Sequence, residues 1–236
     1  MDFIMGEALS IPRIREGIVA FTSDHGESFG EHGVWWDHAE LYPETVAVPM
    51  ILSWPGGPEG LSVDEPVRQI DVARTLLDIS GLYSTEFPGR NLSWSFDSEE
   101  GAQARRLISA HGNVASIQDE SWMLILHLRT HHEWALERKR MKHEVELYDL
   151  EADPACLEDL ARVPAHKETA RGLRRRLIDW LEEAPAEGLG TSKLLSEASR
   201  ESLAELGYAD VTSSGPSGGS LYEEDAADEW CRYFAE

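Results

Sequence analysis

Residues 17–57, GIVAFTSDHGESFGEHGVWWDHAELYPETVAVPMILSWPGG, carry the reading on which the rest of the chain depends. Residues 17–23 form a short apolar run that breaks abruptly into Asp24, His25 and Gly26, the pattern of a buried strand feeding a loop. From Asp24 to Glu44 the chain is rich in Gly, His, Asp and Glu, interrupted by Trp35 and Trp36. VPMILSWPGG at 48–57 then predicts a second core strand closed by a turn. Two parallel-type strands joined by a long functional loop is the arrangement expected. Asp24 and His25 would stand together at a strand end, where open α/β folds place their ligands. A carboxylate and an imidazole can hold a divalent cation, with Gly26 letting the backbone turn beneath it. A hydrogen-bonded Asp beside a surface His in a turn satisfies the same three residues.

Beyond this segment, Asp71 is placed to cap a helix through VARTLLDIS, with Val72, Leu76 and Ile79 at helical spacing and Gly81 as its stop. A polar linker is expected around residues 84–104. Strand-like runs follow at LISAH, VASIQ and WMLILHL, and a fourth, VELYDL, comes after the charged stretch HHEWALERKRMKHE. These predict a small antiparallel sheet. Residues 165–184 put Leu173, Leu177 and Trp180 on one helical face that can cover it. A shorter helix is expected at 197–206, ending at Gly207. The Gly/Ser-rich and then acidic end, 209–236, reads as a flexible tail. The divisions expected are an atypical opening at 1–16, part of an α/β core at 17–104, an α+β subdomain at 105–208 and that tail.

With 44 acidic against 21 basic side chains among 236 residues, the net charge is -23. Such a surface repels nucleic acid and anionic lipid. Only Lys139, Lys142, Lys167 and Lys193 are lysines. Acidic excess with scarce lysine points to a halophilic protein, against the alternative of an acidic chain with a disordered tail. No apolar run nears the roughly 20 residues of a membrane helix. The opening residues lack the basic-then-apolar pattern of a secretory signal, so the cytoplasm is the expected location. Cys156 and Cys231 fit no CxxC or Cys/His spacing.

The loop resembles the sulfatase family, in which a TSDHG or TSDNG segment after a core strand supplies two metal ligands. Further pieces resemble it in order: LYPE and VP at 41–49, PGGPEG at 55–60, VRQIDVARTLLDISGL at 67–82, FPGRNL at 87–92 and ELYDLEADP at 146–154. The resemblance covers roughly residues 17–208. It implies part of an alkaline-phosphatase-like α/β/α sheet, followed by the small antiparallel sheet with its covering helix.

The resemblance further implies that Asp24 and His25 are ligands of the active-site metal and that His38 contacts the sulfate as a catalytic cation. His111, at the end of LISAH, would contact substrate or be an ordinary strand-end histidine. The alternative for His38 is a solvated loop residue paired with Asp37. Calcium is the metal the family implies, although it prefers oxygen ligands and His25 also suits Zn2+ or Mn2+. His32 either holds the loop or is exposed. His127, His131 and His132 read as a solvated face, and Trp35 and Trp36 as walls of an aryl or sugar pocket or as packing under the loop.

The family nucleophile is a formylglycine made within C/S-x-P-x-R, and no such motif occurs in these residues. Ser10-Ile11-Pro12-Arg13 has its Arg one position too early, with Ile14 where the motif needs Arg. The chain is therefore expected to be a fragment or one half of a split enzyme, inactive alone, whose missing N-terminal half would bring formylglycine and further metal carboxylates. The substrate would be a sulfate-ester small molecule or glycan. Two other expectations stand beside this: a phosphodiesterase or phosphoethanolamine transferase of the same superfamily, and a non-catalytic remnant or partner subunit.

Overall fold

Strand β1 (Val19–Thr22) forms where the apolar run predicts it, in a computed structural model that describes residues 2–38, 40–82, 89–93, 107–111, 113–133, 138–183, 222 and 225–235. Two short helices precede it, α1 (Asp2–Ser10) and α2 (Pro12–Arg15), the second opened by a proline in its first turn. The polar loop carries β2 (Ser28–Phe29) and β3 (Trp35–Asp37), a small hairpin with a bulge at Ser28 and Phe29. One helical turn, α3 (Pro43–Val46), leads into β4 (Met50–Ser53).

Here the expected parallel arrangement is overturned. β1 and β4 pair antiparallel, Val19 opposite Ser53 and Thr22 opposite Met50. The reason is connectivity. A parallel return needs a crossover that carries the chain back along the sheet, whereas this loop leaves and re-enters at the same end.

Helix α4 (Gln69–Ile79) begins earlier than Asp71, which sits in its third position rather than at its cap. The Asp71 carboxylate accepts the Arg68 backbone N–H at 3.1 Å and the Arg90 backbone N–H at 2.8 Å. Burial pushes its pKa up, but hydrogen bonds from Arg68 and Arg90 outweigh that and hold it below the usual range. Gly81, at φ 71°, ends the helix as expected, since only glycine takes this conformation without strain.

The four predicted strands form one antiparallel sheet: β5 (Leu107–His111), β6 (Val114–Asp119), β7 (Trp122–His127) and β10 (Val145–Asp149), in the order β10-β7-β6-β5. The charged stretch between β7 and β10 holds a further hairpin, β8 (His131–Glu133) with β9 (Arg138–Arg140), which its charge concealed. Leu41 and Tyr42 pack with Val114, Met123, Ile125, Tyr148 and Cys156 in one core cluster. The long loop and the small sheet thus share a core.

By compactness the chain divides at residues 163 and 164. In the second unit, α5 (Lys167–Glu183) buries Ala170, Leu173, Arg174, Leu177, Ile178 and Leu181 at helical spacing. Trp180, expected on that face, is instead 38% exposed. Residues 225–235 correct the expectation of a tail flexible to its end. Helix α6 (Glu229–Ala235) buries Trp230, Cys231 and Phe234, and Arg171 Nε donates to the Phe234 carbonyl at 2.7 Å. Average composition hid a short apolar helix behind the acidic residues before it. The expected helix at 197–206, most of the linker at 84–104 and residues 209–221 lie outside the described residues. Among the described residues no helix is long and apolar enough to cross a membrane.

Candidate metal centre

The end of β1 is pinned from three directions. Ser23 Oγ donates to the His25 carbonyl at 2.7 Å, and Gln69 Nε2, from the first residue of α4, donates to the Ser23 carbonyl at 2.6 Å. The Gly26 N–H donates to the Thr45 carbonyl at 2.8 Å. A Cβ on Gly26 would lie 1.9 Å from the Glu44 carbonyl oxygen, so only glycine permits this approach.

That geometry orients the candidate donor groups. His25 Nδ1 lies 2.6 Å from the Gly26 carbonyl. A carbonyl can only accept, so Nδ1 carries the proton and Nε2 is left with the lone pair a metal needs. The Asp24 carboxylate takes the His25 backbone N–H at 3.1 Å, and this bond is the foremost of the causes that hold its pKa below the usual range. Its Oδ1 also accepts from Ser23 Oγ at 3.4 Å, and the side chain is 79% exposed. Asp24 is therefore an anion facing outward beside an imidazole nitrogen.

His38 is brought to the same place. Its ring stacks on that of His25 with centroids 3.7 Å apart and planes 13° from parallel. Asp37 takes the His38 backbone N–H at 2.7 Å, while the ring faces Glu27, Nδ1 to Oε2 at 3.5 Å. Asp37 thus pairs with His38 through the backbone N–H, while the ring faces Glu27. One donor atom each from His25, Glu27 and His38 lies within 4.8 Å of the others. Glu27 Oε1 is sealed from solvent without a hydrogen-bond partner, a state a carboxylate leaves on meeting a cation. Asp24 and His25 offer donor types that fit a divalent ion, whereas the stacking of His38 on His25 keeps the His38 lone pairs from converging on the same one.

His32 holds the loop. It stacks on Tyr42 at 3.7 Å and faces Glu44 Oε1 at 3.5 Å. Tyr42 in turn donates to Glu146 Oε2 at 2.8 Å, joining the loop to β10. His127, expected on a solvated face, is wholly buried in β7 and bonds Glu146 Oε1 at 2.8 Å. His111 ends β5, in a different sheet from β1, the strand that leads into Asp24. Trp35 and Trp36 lie on β3, 60% and 74% exposed, with Trp36 edge-on to Phe29 at 5.2 Å. The side chains of His131 and His132 lie outside the described residues.

Cys156 is buried in the core, 1% exposed. Burial, helped by Asp153, pushes its thiol up to about 12. Sequence reasoning passed over Glu27, Glu44 and Glu146, whose only signal was a carboxylate near histidines or inside a strand.

The family described as N-sulphoglucosamine sulphohydrolase, C-terminal, matches residues 30–183. The choline-sulfatase of Rhizobium meliloti (strain 1021) is 27% identical over 200 residues, covering 78% of this chain and 36% of that protein. A solved 2-O GAG sulfatase superposes with a TM-score of 0.58 at 21% identity, covering 76% of this chain and 39% of that one. The phosphonate monoester hydrolase of Agrobacterium radiobacter gives 0.58 at 20% identity, covering 75% and 37%. The structural likeness carries the fold, alkaline-phosphatase-like and partial. The chain spans about a third of the curated sulfatases that match most of it. With the family matched over residues 30–183 and the DHG corner standing just before that match, the chain belongs to the sulfatase family.

Proposed function

We propose that this chain supplies the distal part of the active site of a sulfuric ester hydrolase, with Asp24 and His25 as metal ligands and His38 as the cation that meets the sulfate. The observation that carries the reading is the convergence of Asp24, His25 and His38 at the end of β1. Ester cleavage gathers negative charge on the sulfuryl and leaving oxygens. His38, held against Glu27, can donate a proton or hydrogen bond to those oxygens. Gly26 and Gln69 keep the corner in place so that no reorganisation is needed when charge develops. A divalent metal, when bound, would polarise the same oxygens and activate a nucleophile. Calcium is the ion the resemblance implies; the imidazole suits Zn2+ or Mn2+.

The nucleophile belongs to a C/S-x-P-x-R segment outside these 236 residues, as formylglycine. His111 enters as a substrate contact on its place at a strand end, and a sulfated small molecule or glycan is the substrate class. A polypeptide carrying both this chain and such a segment is expected to hydrolyse an aryl sulfate faster than the matched aryl phosphate. Asp24→Ala should lower its kcat/KM by at least about 100-fold. Expressed alone, the 236 residues should leave the aryl sulfate untouched.

The likeness to a phosphonate monoester hydrolase supports a second reading, phosphodiester or phosphoethanolamine chemistry at the same corner. A preference for the phosphate ester would establish it over the first. If neither ester is turned over by that longer polypeptide, the chain is a non-catalytic remnant or partner subunit.

The charge of -23 supports adaptation to high salt. The thermal midpoint is expected to rise steadily from dilute buffer to molar potassium chloride. A midpoint already at its maximum in dilute buffer would refute this.

A further inference from the structure

We infer that Phe29 and Trp36 form an exposed aromatic corner that holds a methylated ammonium group on the alcohol side of the sulfate ester. Its place beside a sulfate rests on the hydrolase reading above, whereas the cation corner itself stands without that reading.

The hairpin builds this corner at a cost. Ser28 pairs with Asp37 and Phe29 with Trp35, so Trp36 is the extra residue of a bulge. Its φ is 57°, a region that bulky side chains avoid, yet the side chain is 74% exposed and recovers little through burial. Bulges re-aim side chains next to active sites. Here the Trp36 ring comes to stand edge-on to Phe29, with centroids 5.2 Å apart and planes at 75°, and Phe29 is itself 54% exposed. Trp35 differs, because its ring lies against Gly30, where an added Cβ would meet it at 2.8 Å. Packing thus accounts for Trp35 and not for Trp36. Along the chain Trp36 is two residues from His38, and Phe29 is two residues from Glu27.

Charge decides what the two rings take. No lysine or arginine lies between Arg15 and Arg68, whereas Asp37 follows Trp36 and the Glu31 carboxylate accepts the Phe29 backbone N–H at 2.6 Å. A second sulfate or a carboxylate on the alcohol would meet like charge there, which disfavours a polysulfated glycan. A methylated ammonium is attracted by the aromatic faces and by these carboxylates, without the strong hydration of a primary ammonium.

The test is titration of the 236-residue chain with tetramethylammonium, tert-butanol and pivalate at fixed ionic strength, read by NMR from the Trp36 indole N–H that a Trp36→Phe variant assigns. Tetramethylammonium should shift that signal saturably and bind at least about threefold tighter than tert-butanol, and pivalate should give no saturable shift. Phe29→Leu, which keeps an apolar side chain but removes the ring, should weaken tetramethylammonium at least about threefold with an unchanged circular dichroism spectrum. Equal binding of tert-butanol, or an affinity unchanged in Phe29→Leu, would overturn the inference. In the longer polypeptide that also carries the C/S-x-P-x-R segment, Phe29→Leu should raise the KM of para-trimethylammonio-phenyl sulfate at least about threefold more than that of para-tert-butyl-phenyl sulfate. Equal rises, or a Trp36 signal that the added protein shields from tetramethylammonium, would count against the corner alone. Absence of turnover with tetramethylammonium binding intact would sink only the hydrolase reading.

Discussion

Glu146→Ala is expected to destabilise the fold by about 3–5 kcal/mol, the range for removing one partner of a buried ion pair. Glu146 is buried in β10, and its carboxylate gathers His127 at 2.8 Å, Arg140 at 2.9 Å, Tyr42 at 2.8 Å and Tyr148 at 2.7 Å. Removing it leaves the His127 ring and two hydroxyls inside the core with bonds unmade. Arg140 keeps Glu144 at 3.0 Å. Urea unfolding measures the loss, and a change below about 1 kcal/mol would show the hub to be dispensable.

The same carboxyl predicts a pH dependence. Burial pushes its pKa up, but the hydrogen bond from His127 and the charge of Arg140 outweigh that and bring it to about 2, from an ordinary 4.5. A carboxyl depressed on folding contributes stability that is fully present above its unfolded value. That contribution, about 3 kcal/mol at neutral pH, is lost as the pH falls from 4.5 through about 2. The Glu146→Gln variant should therefore show a flatter acid limb than the parent between those values. Parallel limbs would mean that other carboxylates govern acid unfolding.

Gly26→Ala should have the second large effect. Its Cβ would stand 1.9 Å from the Glu44 carbonyl oxygen and 3.2 Å from the Thr45 Cα. Both contacts are backbone, so the strand end or α3 must move. The expected cost is at the upper end of the roughly 1–3 kcal/mol of overpacking, with loss of metal affinity because His25 leans on the Gly26 carbonyl. A variant with parental stability and parental affinity for the divalent metal would show that this approach is not needed.

Much of this corner was legible in the chain. Asp24, His25 and Gly26 follow one another, so a strand end that delivers one delivers all three. His38 was legible only through a family pattern, since nothing in its own neighbours aims its ring at His25. Glu27 lay beside the motif yet carried no separate signal; its place against His38 comes from the hairpin that brings His38 back to it. The strands of the small sheet were readable because β-branched and aliphatic runs are local features. Helix α6 was not, because a few apolar residues after an acidic stretch do not announce what they will pack against.

Hydrophobic pattern and motif order therefore settle which segments are strands and where the Asp24–His25–Gly26 corner begins, since both are properties of neighbouring residues. The direction in which β4 joins β1, the ring partner of His38 and the Glu146 hub are set only when the chain closes. Tyr42 meets Glu146 across 104 residues of sequence, and no local preference can specify a contact at that separation.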